Sequence, residues 1–326
     1  MASNKRKVMV PSTMGQEGVS LLQARDDIET VIYPPTISQA ELLPMLSDCS
    51  GIALSLTPFS NPEMDAAPAM QVVARIGVGY DAVDVPVLTA HRVPLMIAGT
   101  ANSVSVAEQA FHLMISLAKK HEALDAMVRG GRWRDRHDGL PMEISGKTVL
   151  IVGFGRIGTR LAKRCLAFDM VVLVRDPYVD QAAIRAAGCE PVADLDAALP
   201  RVDFVSIHCP KNAETVGMFS GPQFARMKRS AYIVNTARGG IIDEPALHAA
   251  LSAGQIAAAG LDVFDQEPTP PDNPLLKLPN LISSPHMAGV TTEAVANMAR
   301  ATAENILSVL DGKPNRDNVV NKEVLD

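Results

Sequence analysis

The sequence predicts a two-domain protein of the parallel α/β class, and three observations predict it. The chain has 326 residues, about twice the usual ~150-residue domain, so each half can bury a core of its own. Short β-branched runs alternate with Ala/Leu-rich stretches of helical period along almost the whole length, the mark of strands joined by crossover helices. That alternation comes in two series, with no short repeat or low-complexity segment, so any duplication is one of architecture.

The first series holds five candidate strands: "KVMVPS" (7–12), "ETVIYP" (29–34), "GIALSL" (51–56), "QVVARIG" (71–77) and "PLMIAG" (94–99). The second holds six: "KTVLIVG" (147–153), "MVVLVRD" (170–176), "VDFVSIHCP" (202–210), "AYIVNTA" (231–237), "AGLDVF" (259–264) and "LISSPH" (281–286). Two long helices divide them. One is expected from Ser103 to Lys120, opened by a capping box of Ser105 and Glu108, with Val104, Ala107, Phe111, Met114 and Ala118 on one face. The other is expected from Thr292 to Leu310, with Val295, Met298, Thr302, Ile306 and Val309 at helical spacing and Gly312 and Pro314 as its stop. Because this helix follows the last strand of the second series, it is expected to return the chain to the first domain. That places one domain at 1–102 and 288–326 and the other at 103–287, with a cleft between them as the expected site.

Composition removes several classes of function. A formal net charge of −6, with no Lys/Arg block, gives nothing to neutralise a phosphate backbone, so no nucleic-acid partner is expected. No apolar run approaches the ~20 residues needed to span a bilayer, and "MASNKRK" leads into the short "VMVPS" instead of a signal-peptide core. A cytoplasmic protein without membrane contact is expected. Cys49, Cys165, Cys189 and Cys209 are scattered without a C-x-x-C pair, so they are read as buried thiols, and no metal site or disulfide framework is expected.

The sixth strand runs into Gly153, Gly155 and Gly158 in G-x-G-x-x-G spacing, followed by an amphipathic helix. The first Gly permits a tight turn, the second lets backbone approach a pyrophosphate, and the third lets helix pack on strand. The pyrophosphate would rest on N–H groups near Arg156 and Ile157. The next strand ends in Asp176, placed to accept hydrogen bonds from the adenosine ribose of NAD and to repel a 2′-phosphate, with Arg175 beside it as a softening charge. Three later strand ends each present one polar group, Arg238, Glu267 and His286, and in such sheets ligands bind beyond the carboxyl ends of the strands. The other histidines, His91, His112, His121, His137, His208 and His248, are read as exposed or satisfied.

The motifs "ARIGVGYDAVD", "VGFGRIG", "VNTARGGIIDE", "LDVFDQEP" and "SPHMAGVT" together resemble the D-isomer-specific 2-hydroxyacid dehydrogenase family, and the resemblance reaches "NVVNKEVL" near the end of the chain. It implies two Rossmann-like doubly wound domains: a flavodoxin-like substrate domain built from both chain ends, and an NAD-binding Rossmann domain between them, usually in a homodimer. It implies catalytic roles for Arg238, Glu267 and His286 in hydride transfer between NAD(H) and a 2-keto or 2-hydroxy acid. It places Asp262 at the nicotinamide carboxamide, His208, Cys209, Pro210 and Thr215 along the adenosine half, and Thr236, Ala237 and Gly289 among the cofactor contacts. Formate dehydrogenases share the pattern but carry Gln where Glu267 stands.

The chemistry makes those roles intelligible. A 2-keto acid needs a cation and backbone donors for its carboxylate, and an acid for the oxygen that develops charge. Arg238 can fork onto carboxylate and carbonyl oxygens. The turn "GVGYD" offers the N–H groups of Val78 and Gly79 as an anion nest, with Arg75 nearby. A protonated His286 can donate to the carbonyl oxygen, with Glu267 pairing the charged ring and fixing it. The loop "LSLTPFS" (54–60) sets Leu54, Leu56 and Phe59 around small polar groups, where phosphoglycerate dehydrogenases commonly carry a further cation. A small unphosphorylated 2-keto acid, glyoxylate- or hydroxypyruvate-like or apolar, is therefore expected, with D-3-phosphoglycerate dehydrogenase as the alternative within the family and an NAD-binding corepressor-like protein without physiological turnover as the alternative of another class. The close of the chain soon after the last helix leads to the expectation that no effector domain is appended.

Overall fold

The computed structural model describes residues 5–326. The chain forms two compact units, one of Met1–Asn102 with Val290–Asp326, the other Ser103–Gly289.

The first unit is a five-stranded parallel sheet of β1 (Arg6–Pro11), β2 (Ile28–Tyr33), β3 (Cys49–Leu54), β4 (Val72–Arg75) and β5 (Leu95–Met96), in the order β2-β1-β3-β4-β5. This is the flavodoxin-like order. Every residue of β3 is buried, as a central parallel strand covered on both faces must be. The helix Thr292–Leu310 packs against the helix Gln16–Gln23 and across β3 and β4. The two helices approach so closely that a Cβ on Gly18 would lie 2.2 Å from the Ala299 carbonyl oxygen. Buried asparagines then sew the last residues onto β5. Asn321 accepts from the Leu95 N–H (2.8 Å) and donates to the Val93 carbonyl (2.9 Å), while Asn305 donates to the Ile97 carbonyl (2.8 Å).

The second unit is a seven-stranded parallel sheet of β6 (Thr148–Val152), β7 (Val171–Arg175), β8 (Glu190–Pro191), β9 (Phe204–Ile207), β10 (Tyr232–Asn235), β11 (Ala258–Leu261) and β12 (Leu281–Ser283). Its order is β12-β11-β10-β9-β6-β7-β8, the doubly wound dinucleotide-binding topology with one further strand beyond β11. The register aligns the strand ends in one row: Arg175 beside Val152, Val152 beside Ile207, Ile207 beside Asn235, Asn235 beside Leu261, and Leu261 beside Ser283.

Three sequence expectations change. The strand β8 was not expected, because two residues at a sheet edge, one of them a proline, carry no periodic signal. The helix expected to open on a capping box at Ser105 spans Ser103–Lys119, so Ser105 is a buried interior residue and Glu108 instead pairs with Arg164 at 2.7 Å. Its buried face is turned from the expected one: Val104 is exposed, and Ala107, Ala110, Met114, Leu117 and Ala118 face the core. Cys49, Cys165 and Cys189 are buried and Cys209 half-buried, all as free thiols. Among the described residues no helix is long and apolar enough to cross a membrane.

The Gly18 contact generates a stability prediction. Gly18→Ala forces a methyl into the Ala299 backbone and should cost about 1–3 kcal/mol in urea unfolding. Gly221→Ala, whose methyl would meet nothing within 4 Å, should stay within about 0.5 kcal/mol of wild type. Equal losses for the two would mean that the helix pair relaxes freely around position 18.

Candidate functional site

In the second unit five strands of the aligned row hand over to a residue singled out in the sequence, Asp176 after β7, Gly153 after β6, His208 after β9, Thr236 after β10 and Asp262 after β11, while Ser284 follows β12.

The three glycines do different work. Gly153 has φ +98, and a Cβ there would lie 2.7 Å from the backbone of both His208 and Cys209, so this turn crosses the end of β9 with no room for a side chain. Gly155 opens on empty space, leaving its backbone approachable from outside. A Cβ on Gly158 would lie 2.0 Å from the Gly153 carbonyl oxygen, so the helix Gly158–Ala167 starts in direct contact with the turn. No side chain caps that helix at Ile157, and its first-turn N–H groups suit an anion.

Asp176 is half-buried and reaches back over the turn. Its Oδ2 accepts from the Phe154 N–H (2.8 Å) and its Oδ1 from the Tyr178 N–H (2.9 Å). Each oxygen keeps further acceptor capacity. The neighbouring loop from His208 is braced from within: Thr215, expected to line the adenosine half, donates its hydroxyl to the Pro210 carbonyl (2.7 Å) and accepts from the Asn212 N–H (2.8 Å). Its part is to shape the loop. Burial pushes the Cys209 thiol up to about 11. At this edge of the second sheet, Nδ1 of His208 and Oγ1 of Thr236 stay buried without a partner. They stand at adjacent strand ends beside the glycine turn. Backbone open at Gly155, an uncapped helix start, a carboxylate with spare acceptor capacity and two orphaned polar atoms together fit a dinucleotide.

The other three sequence-selected residues lie on linked loops. Glu267 accepts from the Phe264 N–H through Oε1 (3.0 Å) and holds His286 Nδ1 through Oε2 (2.7 Å). His286 adopts φ +55, a left-handed conformation that non-glycine residues enter at a cost, and it remains half-exposed. Asp262 is buried and fully engaged. Its carboxylate accepts from the Ser284 hydroxyl (2.5 Å) and from the N–H groups of Met287 (2.9 Å) and Ala288 (2.8 Å). Expected at the carboxamide of nicotinamide, it first of all anchors the turn that carries His286; Gly289 closes that turn. Arg238 sits on a turn clamped by buried Asn235, which donates to the Arg238 carbonyl (2.8 Å) and accepts from the Ala237 N–H (2.9 Å). The structure thus brings Glu267 and His286 into contact and packs the Arg238 turn on the loop that bears Glu267, a Cβ on Gly239 lying 1.9 Å from the Phe264 carbonyl oxygen. Asp243 caps the helix Glu244–Ser252, and Glu244 accepts from the Asp265 N–H.

In the first unit, Arg75 at the end of β4 donates from Nε to the Gly79 carbonyl (2.8 Å) and from Nη1 to the Leu54 carbonyl (2.9 Å). It therefore props the Gly77–Tyr80 turn, where Gly77 has φ +129. Of the loop residues expected to face a ligand, Leu54 and Phe59 are core residues with no exposed surface, and Leu56 is 82 % exposed. Leu54 closes the fully buried strand β3, and Phe59 is drawn into the core by its bridge to Val83. Among the described residues no cluster of His, Cys, Asp or Glu could hold a metal ion.

Sequence reasoning missed Asp265, which links the Arg238 turn to the Glu267 loop and carries no pattern of its own, being defined by a tertiary neighbour. His208, grouped with the exposed or satisfied histidines as a lone residue but placed along the adenosine half by the resemblance, keeps one ring nitrogen without a partner.

A family model described as "D-isomer specific 2-hydroxyacid dehydrogenase, NAD binding domain" matches residues 111–288. The chain is 37 % identical over 314 residues to a D-3-phosphoglycerate dehydrogenase of Archaeoglobus fulgidus, covering 96 % of this chain but 59 % of that relative's length. It is 35 % identical over 325 residues to a glyoxylate reductase of Korarchaeum cryptofilum, covering 98 % of this chain and 97 % of that one. Among solved structures it superposes on an NADPH-dependent glyoxylate/hydroxypyruvate reductase of Sinorhizobium meliloti with a TM-score of 0.85 at 27 % identity, covering 98 % of this chain and 99 % of that chain.

His208 generates an acid-stability prediction. Part of the residue reaches the surface, but its Nδ1 does not, and burial pushes its pKa down from 6.5 to about 3. Above pH 6.5 the ring is neutral in both the folded and the unfolded chain and contributes no pH dependence. As pH falls through 6.5 the unfolded chain takes up a proton that the folded one refuses, so stability declines until pH is near 3. His208→Asn should therefore flatten the fall in urea-unfolding free energy between pH 6.5 and 4. An identical slope in the variant would mean that His208 protonates within the fold.

Proposed function

The chain belongs to the D-isomer specific 2-hydroxyacid dehydrogenase family, and from that premise we propose that it reduces a small unphosphorylated 2-keto acid with NADH and oxidises the matching D-2-hydroxy acid with NAD. The observation that carries the reading is the His286 Nδ1–Glu267 Oε2 contact at 2.7 Å. It commits one ring nitrogen to a carboxylate and leaves Nε2 to face a substrate.

The nicotinamide cofactor, when bound, supplies or accepts the hydride. Arg238 binds the substrate carboxylate and polarises the carbonyl, a task suited to a planar fork of donors. Val78 and Gly79 of the first unit offer donors of the same kind, since among the described residues neither N–H finds an acceptor. His286, protonated, gives its Nε2 proton to the carbonyl oxygen in reduction and takes it back in oxidation, while Glu267 holds the ring in place. Gly153, Gly155, Arg156, Ile157 and Gly158 cradle the pyrophosphate, and Asp176 accepts from the ribose hydroxyls. His208, Cys209, Pro210, Thr236, Ala237 and Asp262 line the remainder of the cofactor's path.

For the substrate, the use of two Arg75 donors on backbone carbonyls supports an unphosphorylated compound, because a single, partly committed cation is a poor match for a buried phosphate dianion. Leu56, exposed beside that strand end, supports a small or apolar side chain. A homodimer is part of the proposal: the helix His121–Arg129 has no buried residue, and Val128, Trp133 and Leu140 of the segment around it are exposed, the makings of an interface.

Two measurements test this. Hydroxypyruvate should exceed phosphohydroxypyruvate in kcat/KM; a clear preference for the phosphorylated compound would restore D-3-phosphoglycerate dehydrogenase, and no turnover of any 2-keto acid would remove the proposal altogether. NADH should exceed NADPH by about tenfold or more in kcat/KM, ~1.4 kcal/mol of discrimination, and Asp176→Ala should narrow the gap. A wild-type preference for NADPH would move the 2′-phosphate to Arg175 and overturn the ribose assignment.

A further inference from the structure

We infer that Asp265 is a positioning residue, a clasp that fixes Arg238 relative to the Glu267–His286 pair; the inference rests on the reading of those three as the catalytic residues.

Arg238 and Glu267 reach their places on different loops, one after β10 and one after β11, and neither loop is regular. Their relation is set by contacts around Asp265. Its Oδ1 accepts from the Gly240 N–H (2.5 Å), two residues beyond Arg238. Its own N–H donates to Glu244 Oε1 (2.6 Å), and the other oxygen of Glu244 accepts from Asn273 Nδ2 (3.1 Å). Glu244 opens the helix Glu244–Ser252, so the Asp265 backbone is tied to a regular element while its side chain grips the Arg238 turn. One residue earlier, the Phe264 carbonyl closes against Gly239 and the Phe264 N–H bonds Glu267. The arginine turn is thus held from the side by Asp265 and from beneath by Phe264, and the same four residues, 264–267, end in the carboxylate that holds His286.

Two glycines make the clasp possible. Gly239 leaves no room for a Cβ against Phe264, and Gly240 has φ +80 with its N–H turned toward Asp265. Asp265 is exposed, and what the geometry uses is one acceptor oxygen at the Oδ1 position. A shift of the arginine fork by a fraction of an ångström degrades orientation more than it degrades the fold.

The test compares Asp265→Ala with Asp265→Asn, which keeps the Oδ1 acceptor. In Asp265→Ala the Gly240 amide should exchange with solvent faster, the KM for hydroxypyruvate should rise on the order of tenfold, and kcat should fall less than about threefold. The Kd for NADH and the pH profile of kcat should stay at wild-type values, since neither the glycine turn nor the Glu267–His286 contact is touched. Asp265→Asn should recover most of both the exchange protection and the KM. Wild-type exchange and KM in Asp265→Ala would overturn the clasp, as would an Asp265→Asn variant as impaired as the alanine. If Asp265→Ala does not fold, Glu244→Ala with Glu244→Gln as its conservative rescue provides the same comparison through the other end of the clasp. Absence of keto-acid turnover in the wild type would remove the functional reading, whereas Gly240 exchange would still decide for or against the clasp.

Discussion

The arrangement of the second unit depends on one constraint, the common level at which its parallel strands end. Arg175, Val152, Ile207, Asn235, Leu261 and Ser283 are mutual neighbours across six strands. Parallel pairing leaves all six chains leaving the sheet on the same side, with backbone groups that the ladder no longer satisfies. The residue that follows each of them must therefore supply a turn, a polar partner or an exit, and the glycine, acid and histidine positions fall there because of it. A slip of one residue in any pair would send the following polar side chain to the opposite face.

Asp262 shows how that demand is met. A buried carboxylate is costly unless its oxygens are bonded, and this one is satisfied by wrapping the 284–288 segment around it. The wrap donates the His286 N–H to the Asp262 carbonyl at 2.8 Å and obliges His286 to adopt φ +55. The strain is held by three hydrogen bonds to one charge, more than enough against the roughly 1–2 kcal/mol of a left-handed residue. The position of the imidazole is thus a consequence of the burial of Asp262, and Glu267 arrives at it from the same strand end.

Much of this was legible in the sequence because it is periodic. Eleven candidate strands correspond to β1–β7 and β9–β12, and the helix Thr292–Leu310 has the bounds that its apolar spacing and the Gly312 stop dictate. What was not legible is tertiary. The strand β8 is two residues long and owes its existence to the edge of β7. The apolar face of the helix Ser103–Lys119 could not be oriented, because it is flanked on both sides: Leu113 and Leu117 pack over Gly260, and Phe111 meets Phe168. Phe59 read as a candidate ligand contact because a loop aromatic and a core aromatic look alike in sequence; its bridge to Val83 places it in the core.

The same ambiguity runs through the polar residues, and it divides them by use. Asn235 and Asp262 look like ligand contacts from their position at strand ends, and Thr215 from the resemblance, yet their hydrogen bonds go to the chain itself. Nδ1 of His208 and Oγ1 of Thr236 occupy equivalent positions and have no partner. A buried polar atom left without a bond costs about 1–3 kcal/mol, and a fold that satisfies Asp262 three times over has the means to satisfy these. That two such atoms persist at adjacent strand ends, beside a glycine turn with open backbone, is the pattern expected where the missing partner is a ligand or the water that stands in for it. The residues that build the site and those that meet its occupant are therefore told apart by where their hydrogen bonds end, a property that no spacing in the sequence encodes.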